Sequence, residues 1–194
     1  VIIICNIDQG SGEIKLVSVF RDAYLSVSDN GLYNKINQAY FLGGPKQAVE
    51  ALNRNLDLQI DDFATFNWKA VVDAVNILGG VDVELSKAEF YYINAYITET
   101  VEATGVGSYQ LKQAGLNHLD GVQAVAYARL RKMDTDFART ERQREIIDLC
   151  FQKLKKSDFA VVNNVMEAVF PQILSSVTID DIIPCLLYTS DAAD

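Results

Sequence analysis

Cysteine and histidine, the residues that most often bind zinc or act in nucleophile–base pairs, are scarce in this sequence. It has three cysteines, Cys5, Cys150 and Cys185, and a single histidine, His118. The cysteines show no CxxC spacing, and no second histidine is present to complete a zinc site. Zinc binding, Ser/His/Asp chemistry and a disulfide framework are therefore poorly supported. His118 lies in a Gly-Leu-Asn-His-Leu-Asp-Gly stretch, which predicts a loop residue rather than a catalytic base.

Long apolar runs are absent as well, although about half of the 194 residues are apolar. That share predicts a globular domain with a sizeable core, and the length suits one domain. No run approaches the roughly 20 residues that span a bilayer, and no signal peptide is visible. The chain opens without methionine on a strand-like run at residues 1–5, so we expect a preceding portion, with any membrane anchor, to be missing.

Basic residues are fewer than acidic ones, 17 against 26, and the net charge is −9. An acidic surface repels phosphate backbones, so nucleic acid is not an expected partner. No helix-turn-helix pattern with an exposed basic recognition helix is visible either. A smaller anion can still bind where basic residues cluster locally.

Apolar periodicity predicts a mixture of strands and helices. Strands are expected at residues 1–7, 14–20, 63–66 and 81–85. Helices are expected at residues 45–56, 67–78, 120–129, 137–156 and 158–177, the last interrupted near Pro171. We interpret residues 86–118 as a surface insertion that is partly helical. This mixture favours an α/β sandwich.

The basic residues concentrate in one window. Residues 129–144 hold six of the 17 basic residues, and three acids. At 100° per residue on a helix, Arg139, Arg142 and Gln143 share the face of apolar residues such as Ile146. Buried charge needs a partner, so either buried acids or a bound anion should face these arginines.

Arg129 and Arg131 lie where the helix at residues 120–129 is expected to end. In an extended segment, residues two apart share a face, and the start of the following helix favours anions. Because arginine forks match phosphate oxygens, these features predict a phosphate or pyrophosphate pocket. A solvated basic helix face is the alternative explanation.

Arg21 and Asp22 directly follow the strand at residues 14–20. Ligands bind at the carboxyl ends of strands in open α/β sheets, so Arg21 is a candidate for the same anion. Asp22 is a candidate ligand of Mg²⁺, which prefers oxygen. Lys35 is a candidate for a further positively charged side chain at the anion site. A local salt bridge in a turn is the alternative explanation of the Arg21–Asp22 pair.

Four stretches resemble the LytR-CpsA-Psr family: LVSVFRDAYL (16–25), KINQAYFLGG (35–44), LNHLDGVQAVAYARLRK (116–132) and DTDFARTERQRE (134–145). The last two are the most specific. The likeness covers about residues 1–183, which we expect to be one domain truncated at both ends, and residues 184–194 are expected to be a non-native tail. The resemblance implies an α/β/α sandwich with a central mixed β-sheet flanked by helices.

The resemblance also implies an enzyme on the extracytoplasmic face of the bacterial membrane, held by an N-terminal anchor. Such an enzyme transfers a glycopolymer, such as teichoic acid or capsule, from a polyprenyl-pyrophosphate carrier to peptidoglycan. The resemblance assigns pyrophosphate binding to Arg21, Arg129, Arg131, Arg139 and Gln143, and the spacing arguments add Lys35 and Arg142.

The catalytic residues are expected to be Arg21, Asp22, Arg129 and Arg131. The resemblance makes Mg²⁺ the cofactor and Asp22 one of its ligands; the family's other metal aspartate precedes the first strand and has no counterpart here. A carboxylate, Asp22 or Asp136, is a candidate base. The alternatives are hydrolysis of the same lipid pyrophosphate, and a non-catalytic lipid-binding or regulatory protein such as a transcriptional attenuator.

Overall fold

A computed structural model describes residues 1–8, 13–131 and 135–177, and all of their side chains except that of residue 136. The described chain divides into two units. The first comprises residues 1–65 with 174–177, and the second comprises residues 66–173. The expected tail at residues 184–194 lies outside the described residues.

The first unit is built from short strand pairs and one long helix. Its elements are β1 (Ile2–Ile7), β2 (Ile14–Val19), β3 (Tyr24–Ser26), β4 (Tyr33–Lys35), α1 (Asn37–Leu56) and β5 (Ala64–Phe66). The β1–β2 and β3–β4 pairs are antiparallel, with Ile4 opposite Val17 and Leu25 opposite Asn34. Helix α1 is broken at Gly43 and Gly44, whose backbone angles are not helical.

Side-chain amides fasten α1 to the strands of this unit. The Asn55 side chain accepts a hydrogen bond from the Ser26 main-chain nitrogen at 3.1 Å and donates to the Ser26 carbonyl at 2.8 Å. Gln47 donates to the Val27 carbonyl at 2.8 Å. Because the open backbone edge of β3 is satisfied in this way, the apolar residues beneath it can form a core. That core comprises Val27, Ile36, Ala39, Ala51 and Leu52.

The second unit holds most of the helices around one strand pair. Its elements are α2 (Trp68–Ile77), β6 (Val81–Leu85), α3 (Lys87–Thr104), β7 (Gly115–Leu119), α4 (Gly121–Arg129), α5 (Asp136–Lys156) and α6 (Phe159–Val169). A 3-10 turn at Phe170–Gln172 leads into β8 (Ile173–Ser175), which pairs with β5. Strands β6 and β7 are antiparallel, with Asp82 opposite His118.

Helix α4 is the centre of the second unit. Its residues 121–127 are all buried, and α2, α3 and α5 pack against it. The approach to α2 is close: a Cβ added to Gly121 would lie 2.1 Å from the Val72 carbonyl oxygen. Only glycine fits this contact, which therefore fixes the start of α4, the helix that ends in the basic window.

The α/β class predicted from the sequence is confirmed, and so are four of the predicted helices. The strand pairs in the described residues are short two-stranded sheets, where the resemblance implied one mixed sheet. The helix expected over residues 158–177 ends at Val169, and the 3-10 turn and β8 follow. No helix in the described residues is long and apolar enough to cross a membrane.

The interpretation of residues 86–118 as a surface insertion is wrong. Helix α3 places Ile93, Ile97 and Thr100 in the core with no more than 1% exposure, so this segment is part of the main packing of the unit. His118 is also not a loop residue: it lies on β7 and its Nδ1 is 2.7 Å from an oxygen of Asp82 across the strand pair.

Candidate functional site

In the first unit, Asp22 lies between two cations. One carboxylate oxygen is 3.4 Å from the Arg21 Nε, and the other is 3.1 Å from the Lys35 Nζ. All three side chains are more than 40% exposed. The local salt bridge considered as an alternative for Arg21 and Asp22 is therefore present, and Lys35 joins it from the next strand pair.

The backbone explains why these three residues meet. After β2 the chain turns, with the Ala23 nitrogen donating to the Phe20 carbonyl at 3.0 Å. The Ala23 carbonyl then accepts from the Ile36 nitrogen at 2.8 Å, so β4 lies beside the turn. The hydrogen bond from Lys35, aided by the charge of Arg21, holds the pKa of the Asp22 carboxyl below its ordinary value of 3.8.

In the second unit, Arg129 lies at the end of α4 with a partly exposed side chain. One of its terminal nitrogens donates to the Thr100 hydroxyl at 2.8 Å, and the other lies 3.5 Å from a Glu99 oxygen. The guanidinium carbon is 5.1 Å from the centre of the Trp68 ring. An arginine has five N–H donors, so most of those on Arg129 have no partner in the described residues.

Two side chains of α5 hold the backbone on either side of Arg129. Gln143 donates to the Ala128 carbonyl at 3.2 Å, and Arg142 donates to the Leu130 carbonyl at 2.8 Å. These carbonyls belong to the C-terminal end of α4, where no intrahelical donors remain. The α5 side chains thus satisfy these carbonyls and fix the segment that carries Arg129.

Arg142 is the buried arginine that the helical spacing predicted, since only 4% of the residue is exposed. Its terminal nitrogen is 3.4 Å from a Glu89 oxygen, and its guanidinium carbon lies 5.8 Å from the centre of the Tyr127 ring. Of the two partners considered for an inward arginine, a buried acid and a bound anion, the structure supplies the acid. Arg142 therefore has a structural role that Arg129 lacks.

Tyr127 closes this network on the α5 side. Its hydroxyl donates to a Glu145 oxygen at 2.9 Å. Burial, with the hydrogen bond to Glu145, raises the pKa of Tyr127 well above its ordinary value of 10.0. The phenol therefore stays protonated at any physiological pH and acts as a permanent donor.

The remaining predicted cations are placed as follows. Arg131 is exposed just after α4, and Arg139 is half-buried in the first turns of α5. Each interacts with other groups of the protein. The side chain of Asp136, a candidate base, lies outside the described part of the structure.

The structure thus brings the predicted residues together in two groups. Arg21, Asp22 and Lys35 meet in the first unit. Arg129, Arg142 and Gln143 converge on the end of α4 in the second unit. No cluster of three or more metal-ligating side chains occurs within residues 1–8, 13–131 and 135–177.

Four residues that shape the second group were missed from the sequence: Trp68, Glu89, Thr100 and Tyr127. One of them had a signal. Ser86 and Glu89 form a capping box at the start of α3, with the Glu89 nitrogen 3.2 Å from the Ser86 hydroxyl, and the spacing S-x-x-E is its sequence signature. The other three depend on contacts between helices, which spacing within one helix does not reveal.

Comparison with known proteins identifies a family and several named relatives. The profile of the LytR_cpsA_psr family matches residues 1–192. The chain is 33% identical over 141 residues to the polyisoprenyl-teichoic acid–peptidoglycan teichoic acid transferase TagT of Bacillus subtilis, covering 73% of this chain and 41% of TagT. It is 28% identical over 182 residues to the corresponding transferase TagU of Halalkalibacterium halodurans, covering 92% of this chain and 55% of TagU.

A solved structure agrees with these matches. The structure of TagT bound to LIIa-WTA superposes with a TM-score of 0.76 at 26% identity, covering 97% of this chain and 68% of that one. The chain spans about half the length of the curated relatives it matches, 41% of TagT and 55% of TagU. The activity, substrates and partners of those whole proteins are therefore inferred for this chain rather than read from the match.

Proposed function

Because this chain belongs to the LytR_cpsA_psr family, we propose that it is the catalytic domain of a phosphotransferase that moves a glycopolymer from a polyprenyl-pyrophosphate carrier to peptidoglycan. The glycopolymer is teichoic acid, capsule or a similar chain. Support comes from the relatives TagT and TagU, which are named as teichoic acid transferases acting on peptidoglycan.

The observation that carries the proposal is the state of Arg129. Its side chain is 21% exposed, it is anchored mainly by a neutral hydroxyl and an aromatic ring, and Glu99 lies at the limit of hydrogen-bond distance. Such a guanidinium retains donors and positive charge for an incoming anion. Arginine donors fit phosphate oxygens in a bidentate manner, so a pyrophosphate suits this site.

The proposed reaction is a transfer of the phosphate-linked glycopolymer, and the protein assists it mainly by neutralising phosphate charge. A sugar hydroxyl of peptidoglycan attacks the phosphorus that carries the glycopolymer and forms a new P–O bond. The bond from that phosphorus to the bridging oxygen breaks, and the lipid phosphate leaves with the electron pair. Arg129 and Arg131 stabilise the charge on the leaving phosphate, and a carboxylate, Asp22 or Asp136, accepts the hydroxyl proton.

Magnesium is part of the proposal, with Asp22 as its protein ligand. Mg²⁺ is commonly bound by one or two carboxylates together with substrate phosphates and waters, so Asp22 would be the residue that holds it. Arg21 and Lys35 now neutralise Asp22 and would have to release one of its oxygens. When bound, the cation would supply further charge neutralisation.

The proposal also places the domain on the extracytoplasmic face of the bacterial membrane, attached through an N-terminal anchor. Its donor lipid is membrane-embedded and its acceptor is the wall outside, so both substrates meet at that face. Fractionation of cells that express the full-length protein tests this: the protein should be in the membrane fraction and accessible to protease added outside the cell.

The experiment that tests the activity is transfer of a radiolabelled glycopolymer from a polyprenyl-pyrophosphate carrier to peptidoglycan fragments. We expect wall-bound label with the parent chain and at least a hundredfold less with Arg129→Ala or Arg131→Ala. A matched Lys155→Ala variant, altered at an exposed position of α5, should retain full transfer. Release of free glycopolymer phosphate without wall-bound label would instead establish hydrolysis.

A further inference from the structure

We propose that Trp68 and Thr100 are positioning residues for Arg129, which fix the direction of its guanidinium before a phosphate binds. Neither residue belongs to the basic window. The inference rests on the proposed function, because it concerns how that arginine meets its anion.

Trp68 supplies a flat support for the cation. It is the first residue of α2, whose start is fixed by the Asn67 side chain accepting from the Ala70 nitrogen at 2.7 Å. The Arg129 guanidinium lies over its ring at 5.1 Å from the centroid, within the range of a cation–π contact. The ring attracts the cation without accepting its N–H donors as an oxygen would. Those donors therefore remain available to other acceptors.

Thr100 fixes one of those edges. The residue is fully buried, and its hydroxyl donates to the Tyr96 carbonyl at 2.7 Å. Because the hydroxyl proton is committed to that carbonyl, the oxygen can only accept from Arg129, which donates to it at 2.8 Å. The contact therefore holds one terminal nitrogen of Arg129 in a single orientation.

Glu99 balances the charge of Arg129 without closing the site. Its oxygen is 3.5 Å from the second terminal nitrogen, and 56% of its side chain is exposed. An exposed ion pair of this kind contributes little, so a pyrophosphate can replace it. Trp68 and Thr100 remain in contact with Arg129 when a pyrophosphate replaces Glu99, so the guanidinium is already oriented before binding. Pre-ordering of this kind improves affinity because less side-chain freedom is lost on binding.

Two matched pairs of variants test the proposal. Calorimetric titration with farnesyl pyrophosphate compares Trp68→Leu with Trp68→Phe, and Thr100→Val with Thr100→Ser. We expect binding about three- to tenfold weaker for Trp68→Leu and Thr100→Val. Trp68→Phe and Thr100→Ser keep the ring face and the hydroxyl, and should bind within about twofold of the parent chain. Thermal unfolding of each variant establishes that it is folded.

A second background separates positioning of Arg129 from general damage. In an Arg129→Met chain, which lacks both the positive charge and the N–H donors of the guanidinium, Trp68→Leu and Thr100→Val should have no further effect on the remaining affinity. If the two substitutions weaken binding in that background by the same factor as in the parent chain, the proposal is overturned. If Trp68→Leu does not fold, the Thr100 pair still decides.

The outcomes also distinguish this inference from the function on which it rests. No binding of farnesyl pyrophosphate by the folded parent chain would reject the lipid-pyrophosphate site itself. Binding that is lost in Arg129→Ala but unchanged in all four matched variants would keep the site and reject the positioning role alone.

Discussion

Arg142 of α5 donates a 2.8 Å hydrogen bond to the main-chain carbonyl of Leu130, the C-cap residue that follows α4. The same guanidinium pairs with Glu89 of α3. One buried cation therefore joins three helices and holds the segment that presents Arg129. This relationship separates two arginines of the basic window, Arg142 as a structural residue and Arg129 as a candidate binding residue.

Substitution of Arg142 should lower the stability of the second unit, because its contacts are structural. Arg142→Met leaves the Leu130 carbonyl without this donor and Glu89 without its cation. Removal of one partner of a buried pair costs about 3 kcal/mol of unfolding free energy, which urea denaturation measures. Lys155→Ala, at an exposed position of the same helix, should change stability by less than about 0.5 kcal/mol. Equal stability of the two variants would show that the contact contributes nothing.

The close approach of α4 to α2 gives a second prediction. Gly121→Ala places a Cβ 2.1 Å from the Val72 carbonyl oxygen, so the helices must move apart. We expect a loss of about 1–3 kcal/mol, the usual cost of overpacking a core. Gly107→Ala is the matched control, since its added Cβ meets nothing within 4 Å. Thermal unfolding of both variants, read at 222 nm, measures the difference, and equal midpoints would contradict the close contact.

The sequence predicts contacts between residues that are close along the chain better than contacts between residues that are far apart along it. The inward face of α5 was predictable, because a helix repeats every 3.6 residues. Arg142, Gln143 and Ile146 are indeed buried, while Glu141 and Asp148 are exposed. The identity of the partner was not predictable, since Glu89 lies 53 residues away in sequence.

Residues 86–118 show the opposite case. Aromatic residues spread around α3 obscured its apolar stripe, since Tyr91 is 79% exposed while Ile93 is fully buried. The capping box at Ser86 and the left-handed Gly105 that ends the helix, with φ 71°, were the more reliable signals. Short strands such as β3 and β4 have three residues each, too few for alternation to be detected.

The titration of Asp22 gives a prediction for the first unit. Its pKa is lowered first by the hydrogen bond from Lys35, so carbon-detected NMR should place its midpoint below 3.8. A carboxyl with a lowered folded-state pKa stabilises the fold above the unfolded pKa, and this contribution is lost as pH falls through the folded value. Lys35→Met should move the midpoint upward.

The control for that titration is Lys15→Met, which removes a cation that pairs with Glu13 at 3.2 Å and not with Asp22. The Asp22 midpoint should not change in this variant. A midpoint that is the same in the parent chain and in Lys35→Met would show that the cluster is absent in solution.

The most direct test of the central claim, that Arg129 is the anion-binding arginine of a lipid-pyrophosphate site, is calorimetric titration of farnesyl pyrophosphate into the parent chain, Arg129→Ala and Lys155→Ala. The account predicts binding by the parent chain and by Lys155→Ala, and at least tenfold weaker binding by Arg129→Ala with its fold intact. Farnesol, which lacks the pyrophosphate, should bind much more weakly than the pyrophosphate to the parent chain and to Lys155→Ala. Equal binding of the pyrophosphate by folded Arg129→Ala and by the parent chain would contradict the claim.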